Sequence, residues 1–339
     1  MSRSIQSLVD AAPEHSHHLL ASGADMKASW TRNFASRTLL TGGVLNRSMK
    51  LRKAVREGSH QVVHAHSSWA GVYARLLPLH AEVVYQPHCY ATEMSVGPRR
   101  AVFAAAERIL GLRRQTVVVL SRREERLAAR YSPRARRRFV PNTPSIETVP
   151  LRHGVTREQR SATATRTVVT AGRLSAQKDP SFFAAVATRV RAVRPTVRFV
   201  WIGGGSSAWS EVLSEAEVDI TGWAEPRTLS DYLDAGDLYL HSAAWEGFPL
   251  SVLDASARGL PVLVRAIPAF EGTLIQQVHT VEAATAAVLK LLDSDSELES
   301  NAVATRDALA EMSPGLQKEA ISSLYRELAS AVTQLKGRS

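Results

Sequence analysis

The chain has 339 residues, 45% apolar and 22% charged, an ordinary globular composition at a length that suits about two domains. No apolar run reaches the ~18 residues of a spanning helix, and no signal-type apolar core opens the chain; the one cysteine, Cys89, excludes an intrachain disulfide and a multi-cysteine zinc site and fits a reducing compartment. Residues 1–150 hold 23 Lys and Arg against 10 Asp and Glu, residues 151–339 hold 19 against 22, and the net charge of +10 therefore sits in the first half.

The basic clusters of that half are Arg99-Arg100, Arg113-Arg114, Arg122-Arg123, and Arg134 with Arg136 to Arg138. Such a field attracts an anionic membrane surface or an anionic substrate, or else is a solvated face. Nucleic acid is not favoured, because no zinc-finger, RNP-type or helix-turn-helix signature accompanies the charge.

Along the first half, strands are predicted at His18–Ala21, Gln61–Ala65, Glu82–Gln86, Thr116–Leu120 and Arg138–Val140, with helices at Ser68–Leu79, Arg99–Leu112 and Arg122–Arg130. Short apolar strands alternating with helices predict a parallel sheet covered on both faces. His88 follows the third strand in Tyr85-Gln-Pro-His-Cys-Tyr90. It reads as a polar anchor for a sugar hydroxyl or as an ordinary loop histidine. His64 and His66 end the preceding strand, but no neighbouring acid completes a metal site.

A boundary follows. Pro141-Asn-Thr-Pro144 breaks secondary structure, and Ser145–Arg166 is polar and aperiodic, which makes 1–144 one domain, 145–166 a linker and 167–313 a second domain. In the second domain strands are predicted at Thr167–Ala171, Arg198–Ile202, Val218–Thr221, Leu238–His241 and Pro261–Val264. Helices are predicted at Pro180–Val193, Trp209–Ala216, Thr228–Asp234 and Pro249–Arg258. Open parallel sheets bind ligands beyond the carboxyl ends of their strands, so the loops after these strands are the candidate site.

After the first of them, Gly172 permits a sharp turn and Asp179-Pro180 starts a helix. Arg173 and Lys178 are held between, either as cations for a diphosphate or as solvated surface charges. Gly203 and Gly222-Trp223 follow the next two strands; they suit close approach of a nucleotide base, although tight turns are the favoured reading of Gly203 to Gly205. Then comes Trp245-Glu-Gly-Phe-Pro-Leu-Ser251. Pro249 lacks an N–H, so the amides of Phe248, Leu250 and Ser251 are the candidate phosphate donors at the helix start. Glu246 suits sugar hydroxyls and Asp254 suits a ribose; the alternatives are an exposed loop acid and a surface helix acid. From Pro314 to Lys336, Leu316, Ile321, Leu324, Leu328, Val332 and Leu335 recur at helical spacing, which predicts a C-terminal helix over 314–339.

GRLSAQKDP followed by WEGFPLSVLDASARGLPVLV resembles the donor domain of family 4 nucleotide-sugar glycosyltransferases. VVHAHSSWAGVYARL, VVYQPHCYATE and RRFVPNTP resemble their acceptor domain. The resemblance implies the GT-B fold, two Rossmann-like domains facing across a cleft, and a retaining, metal-independent hexosyl transfer to an acceptor hydroxyl with no cofactor beyond the nucleoside diphosphate sugar. It implies Arg173 and Lys178 on the diphosphate, Glu246 on the donor sugar, Phe248 to Ser251 on the phosphates, Asp254 on the ribose and His88 near the reacting sugar. Asp254 departs from the family's usual Glu. Ser4–Asp10 already reads as the first helix, so the family's opening strand and Gly-rich loop are missing, and a start further upstream is expected. The expected partners are a carbohydrate or lipid-linked acceptor and an anionic inner membrane surface. A non-catalytic sugar-nucleotide-binding protein is the alternative.

Overall fold

In the computed structural model, residues 2–22, 33–151 and 165–336 are described. They form two compact units. The first comprises Met1–Thr143 with Ser313–Ser339, and the second Pro144–Met312. Residues 152–164 of the expected linker lie outside the described residues. Its first part belongs to the second unit, where Val149 N–H bonds the Ala257 carbonyl at 2.9 Å.

The first unit holds a four-stranded parallel sheet of order β3 (Val62–His66), β4 (Glu82–Gln86), β5 (Thr116–Val119), β6 (Arg136–Phe139). Its register is set by pairs such as Ala65 with Tyr85 and Val117 with Arg137. Helices α1 (Ser2–Ala11) and α12 (Pro314–Lys336) cover one face, burying Leu8, Ile321, Leu324 and Leu328 against Val84 and Val118. The other face receives α5 (Arg122–Tyr131) and α4 (Gly97–Leu110), with Leu127, Ala128 and Tyr131 against Tyr85, Val117 and Val119. Strand β5 is buried throughout, as its TVVV sequence requires. Strand β6, RRRF, is exposed throughout and suits a sheet edge. Its Arg136 and Arg138 pair with Glu327 of α12 at 2.6 and 2.9 Å, so part of the Arg134–Arg138 cluster ties strand to helix.

β1 (His18–Ala21) and β2 (Ser36–Leu39) form a separate parallel pair. Between β1 and β3 there is no ladder among the described residues, although Leu20 packs on the same apolar cluster as Val63 and Ala65. Buried Arg75, on α3 (Ser68–Leu76), bonds Glu107 of α4 at 3.0 Å, and the Tyr85 hydroxyl donates to the other Glu107 oxygen at 2.8 Å. This network fixes which side of α4 faces inward.

The second unit is a six-stranded parallel sheet of order β12 (Gln277–Val278), β11 (Val262–Arg265), β10 (Leu238–His241), β7 (Thr167–Ala171), β8 (Arg198–Ile202), β9 (Asp219–Ile220). Phe183, Phe199 and Trp201 meet edge-to-face in its core. The element list is longer than the sequence predicts: β2, β12, α2 (Val44–Glu57), α10 (Val281–Leu292) and α11 (Asp295–Ala308) were not anticipated.

Candidate functional site

Strand order fixes where a ligand would sit in the second unit. From β7 the chain runs to β8 and β9 on one side, then returns to β10, β11 and β12 on the other. Strands β7 and β10 are neighbours at this switch, and a crevice opens beyond their carboxyl ends. The loops there are 172–179 and 242–249.

These loops are laced together. Ala244 N–H bonds the Gln177 carbonyl at 2.8 Å. Ser242 Oγ donates to the Lys178 carbonyl at 2.7 Å, and Gln177 Nε2 reaches both the Trp245 carbonyl and Glu246 Oε2 at 3.2 Å. At the centre Lys178 Nζ lies 2.6 Å from Glu246 Oε1, both side chains being less than one-fifth exposed. Burial works against the ammonium, yet the Glu246 carboxylate outweighs it and holds the Lys178 pKa above its ordinary value. Two residues that read separately in sequence are thus one ion pair.

Arg173 differs. It is exposed and forms no ion pair among the described residues, so its charge is available to an anion. Asp179, in the left-handed region at φ 47°, caps α6 (Pro180–Val193) by accepting the Phe182 N–H at 3.2 Å. Sequence reasoning missed Arg265, at the end of β11. It bonds Asp179 at 2.6 Å, lies over the Phe182 ring and reaches the Ser242 carbonyl. A cation closing the strand of the same βαβ unit was the available signal.

Helix α9 (Leu250–Ala257) has Pro249 at its N-cap and no side-chain cap. The amides of Leu250 and Ser251 have no hydrogen-bond partner among the described residues, leaving donors beside the Lys178–Glu246 pair. Buried side-chain atoms nearby, among them His241 Nε2 and Trp245 Nε1, also lack a hydrogen-bond partner among the described residues. A buried polar atom normally finds a partner, and a water, an ion or a ligand can supply a missing one. Phe248 is buried against Phe270. Burial, with the Lys178 charge added, keeps His241 neutral, well below the usual histidine range.

Asp254 is buried, and its carboxylate accepts the Ser145 N–H at 2.5 Å and the Ser145 hydroxyl at 2.9 Å. A ribose would share that carboxylate with the chain entering the unit. On the other side of the crevice the Gly172 carbonyl accepts from Trp201 Nε1 at 2.9 Å. A Cβ on Gly203 would lie 2.0 Å from that carbonyl oxygen, so the missing side chain there serves backbone packing. Gly222, at φ 73°, borders open space, and the Trp223 ring lies against Gly204 while remaining 72% exposed.

In the first unit, His88 and Cys89 both have positive φ, 54° and 99°, an arrangement that needs external support. Glu124 supplies it, accepting the Cys89 N–H at 2.7 Å and the Leu120 N–H at 2.9 Å. Burial pushes the Glu124 carboxyl up to about 7, with those two amides pulling against it. His88 Nε2 lies 2.9 Å from His66 Nδ1, and the rings stack. Burial lowers the His88 pKa to about 3, leaving a neutral imidazole. His64 stacks on His66 and bonds Tyr325 of α12 at 2.7 Å. The three imidazoles are layered rather than convergent, and no group of metal-ligating side chains converges among the described residues.

Two family models match. One, for glycosyl transferases group 1, covers residues 165–294; the other, a glycosyl transferase 4-like domain, covers residues 9–143. An Escherichia coli UDP-Gal:alpha-D-GlcNAc-diphosphoundecaprenol alpha-1,3-galactosyltransferase is 24% identical over 275 residues, 72% of this chain and 70% of that enzyme. The O-antigen biosynthesis glycosyltransferase WbnH of E. coli is 26% identical over 63% of this chain and 61% of its own length. Among solved structures, Anabaena HepE in complex with UDP-glucose superposes with a TM-score of 0.75 at 15% identity, covering 96% of this chain and 95% of that one. Sucrose-phosphate synthase from Thermosynechococcus elongatus gives 0.72 at 17% identity, covering 87% and 84%. Motifs, sheet order and both family models agree: the chain belongs to the family 4 glycosyltransferases and has their two Rossmann-like domains.

Proposed function

We propose that the protein is a retaining, metal-independent hexosyltransferase acting in polysaccharide or glycolipid synthesis, with a nucleoside diphosphate sugar as donor and a lipid-linked hydroxyl as acceptor. The carrying observation is the ring of unmet polar groups around one crevice of the second unit: exposed Arg173, the open amides of Leu250 and Ser251, and buried His241 Nε2 and Trp245 Nε1. These groups suit a diphosphate joined to a sugar. Arg173, Lys178 and the helix amides, Phe248 included, stabilise the departing diphosphate as its charge grows. Glu246, released from Lys178 when phosphate takes its place, accepts from hydroxyls of the hexose. Asp254 receives the ribose beside Ser145, and Gly172, Gly203, Gly222 and Trp223 border the base. His88 offers its remaining nitrogen to the reacting sugar, and the acceptor attacks on the face that the diphosphate leaves. No cofactor takes part.

The donor assignment draws on the UDP-glucose held by HepE, and the acceptor on the diphosphoundecaprenol named for the E. coli relative. An anionic membrane surface is the partner this acceptor brings. Calorimetry with UDP and UDP-hexoses tests the reading. Wild type should bind, and Arg173→Ala should bind at least tenfold more weakly, the loss of one charge-assisted contact of about 1.5–3 kcal/mol. No binding of any nucleoside diphosphate by wild type would sink it.

A further inference from the structure

Helix α4 turns two contrasting faces to its surroundings. Inward, Glu107 and Leu110 are buried, with Glu107 held by Arg75 and Tyr85. Outward, Val102, Ala105 and Ile109 are exposed at spacings of three and four residues, a stripe along the helix, and Leu112, in the turn that follows it, is exposed as well. Val102, Ile109 and Leu112 are 66, 67 and 63% exposed, and Val96, just before the helix, is 86% exposed. Ordinary surfaces scatter large apolar side chains singly, whereas a continuous stripe marks a binding face.

The polar residues beside the stripe are cationic. Arg99, Arg100, Arg108 and Arg113 are exposed. Arg99 and Arg100 form no ion pair among the described residues, Arg108 lies over the Tyr131 ring and Arg113 donates to the Leu76 carbonyl. None of the four forms an ion pair among the described residues, and the one acid of α4, Glu107, is turned into the core. Neighbouring α5 adds exposed Arg122 and Arg130. An apolar stripe flanked by uncompensated arginines is the pattern of a helix that lies in the headgroup layer of an anionic bilayer.

We infer that the outer face of α4, continued by Val96 before it and Leu112 after it, docks on an anionic lipid surface with Val102, Ile109 and Leu112 entering the acyl boundary and the arginines meeting phosphates. This rests on the lipid-linked acceptor proposed above and gives it a place on the molecule. The β4–α4 connection carries His88 at one end and Val96 at the other, so the segment bearing the acceptor-side histidine is the one anchored.

The test is co-sedimentation of the whole chain with vesicles of phosphatidylcholine alone or with 30% phosphatidylglycerol, read beside UDP-induced thermal stabilisation. Wild type should pellet with the anionic vesicles only. Val102→Glu with Ile109→Glu should cut partitioning at least tenfold, and Arg99→Gln with Arg100→Gln roughly 30-fold, at ~1 kcal/mol per lost cation. Both variants should keep the UDP response, since both pairs belong to the first unit and the donor loops to the second. Equal pelleting with both vesicle types, pelleting that survives both pairs, or an α4-dependent dimer that ignores vesicles would each overturn the assignment. Absence of a UDP response in wild type would instead count against the donor reading.

Discussion

Replacing Glu246 with Gln isolates the ion pair at the centre of the crevice. At 2.6 Å and an effective dielectric near 20, the attraction is about 6 kcal/mol before desolvation is counted. Removing one partner of a buried pair typically costs about 3–5 kcal/mol. An independent ceiling agrees: a stranded Lys178 can shed its proton, which at pH 7 costs about 5 kcal/mol from an ordinary lysine pKa. For a unit of this size, Tm should fall by roughly 6–20 °C. UDP returns a counter-charge to Lys178, so it should raise the Tm of Glu246→Gln by more than that of wild type. Under the proposed role of Glu246 as acceptor for hexose hydroxyls, the extra stabilisation a hexose adds should disappear. Scanning calorimetry without ligand, with 1 mM UDP and with 1 mM UDP-glucose reads all three. A fall below about 2 °C, or equal UDP increments in the two proteins, would refute the reasoning.

Two further outcomes follow from the geometry. Glu124 has a folded pKa of about 7 against a reference of 4.5; its contribution to stability is therefore complete below about pH 4.5 and lost as pH rises through about 7. The Cys89 and Leu120 amide resonances should titrate with a midpoint near 7, and a midpoint below 5 would contradict the assignment. Gly203→Ala places a Cβ against the Gly172 carbonyl oxygen and should cost about 1–3 kcal/mol in urea unfolding; a change under about 0.5 kcal/mol would show that the turn can relax.

The sequence made the second unit's strands and their loops legible because buried parallel strands are short apolar runs that stand out from the helices between them. Strand β2, SRTL, is exposed at every position and carries no such run. Helix α2 buries only Ser48, Leu51 and Val55 among seven polar or charged neighbours and glycine-flanked ends, which dilutes its period. Site residues were legible one at a time, whereas their pairings were not. Lys178 and Glu246 lie 68 residues apart, Ser145 and Asp254 lie 109 apart, and His66 and His88 lie 22 apart. Each pairing exists only because the fold brings together segments distant in sequence, loop to loop for Lys178 and Glu246, entering chain to helix for Ser145 and Asp254, strand end to loop for His66 and His88, and such contacts leave no periodic trace. The apolar stripe of α4 lies within a predicted helix, but apolar spacing alone does not tell a core-facing stripe from an exposed one.

The first unit's strands fall into two ladders, and this bears on how the unit opens. β1 and β2 share hydrogen bonds with each other, while among the described residues no ladder joins them to β3 and Leu20 packs on the cluster that holds Val63 and Ala65. Packing without a ladder is the weaker bond between structural pieces, so the β1–β2 pair can separate from the domain while the β3–β6 sheet stays intact. In amide exchange the unit therefore has two tiers of protection: Val117 and Val118 exchange only with global unfolding, while Leu19 and Leu20 exchange through a smaller, cheaper opening.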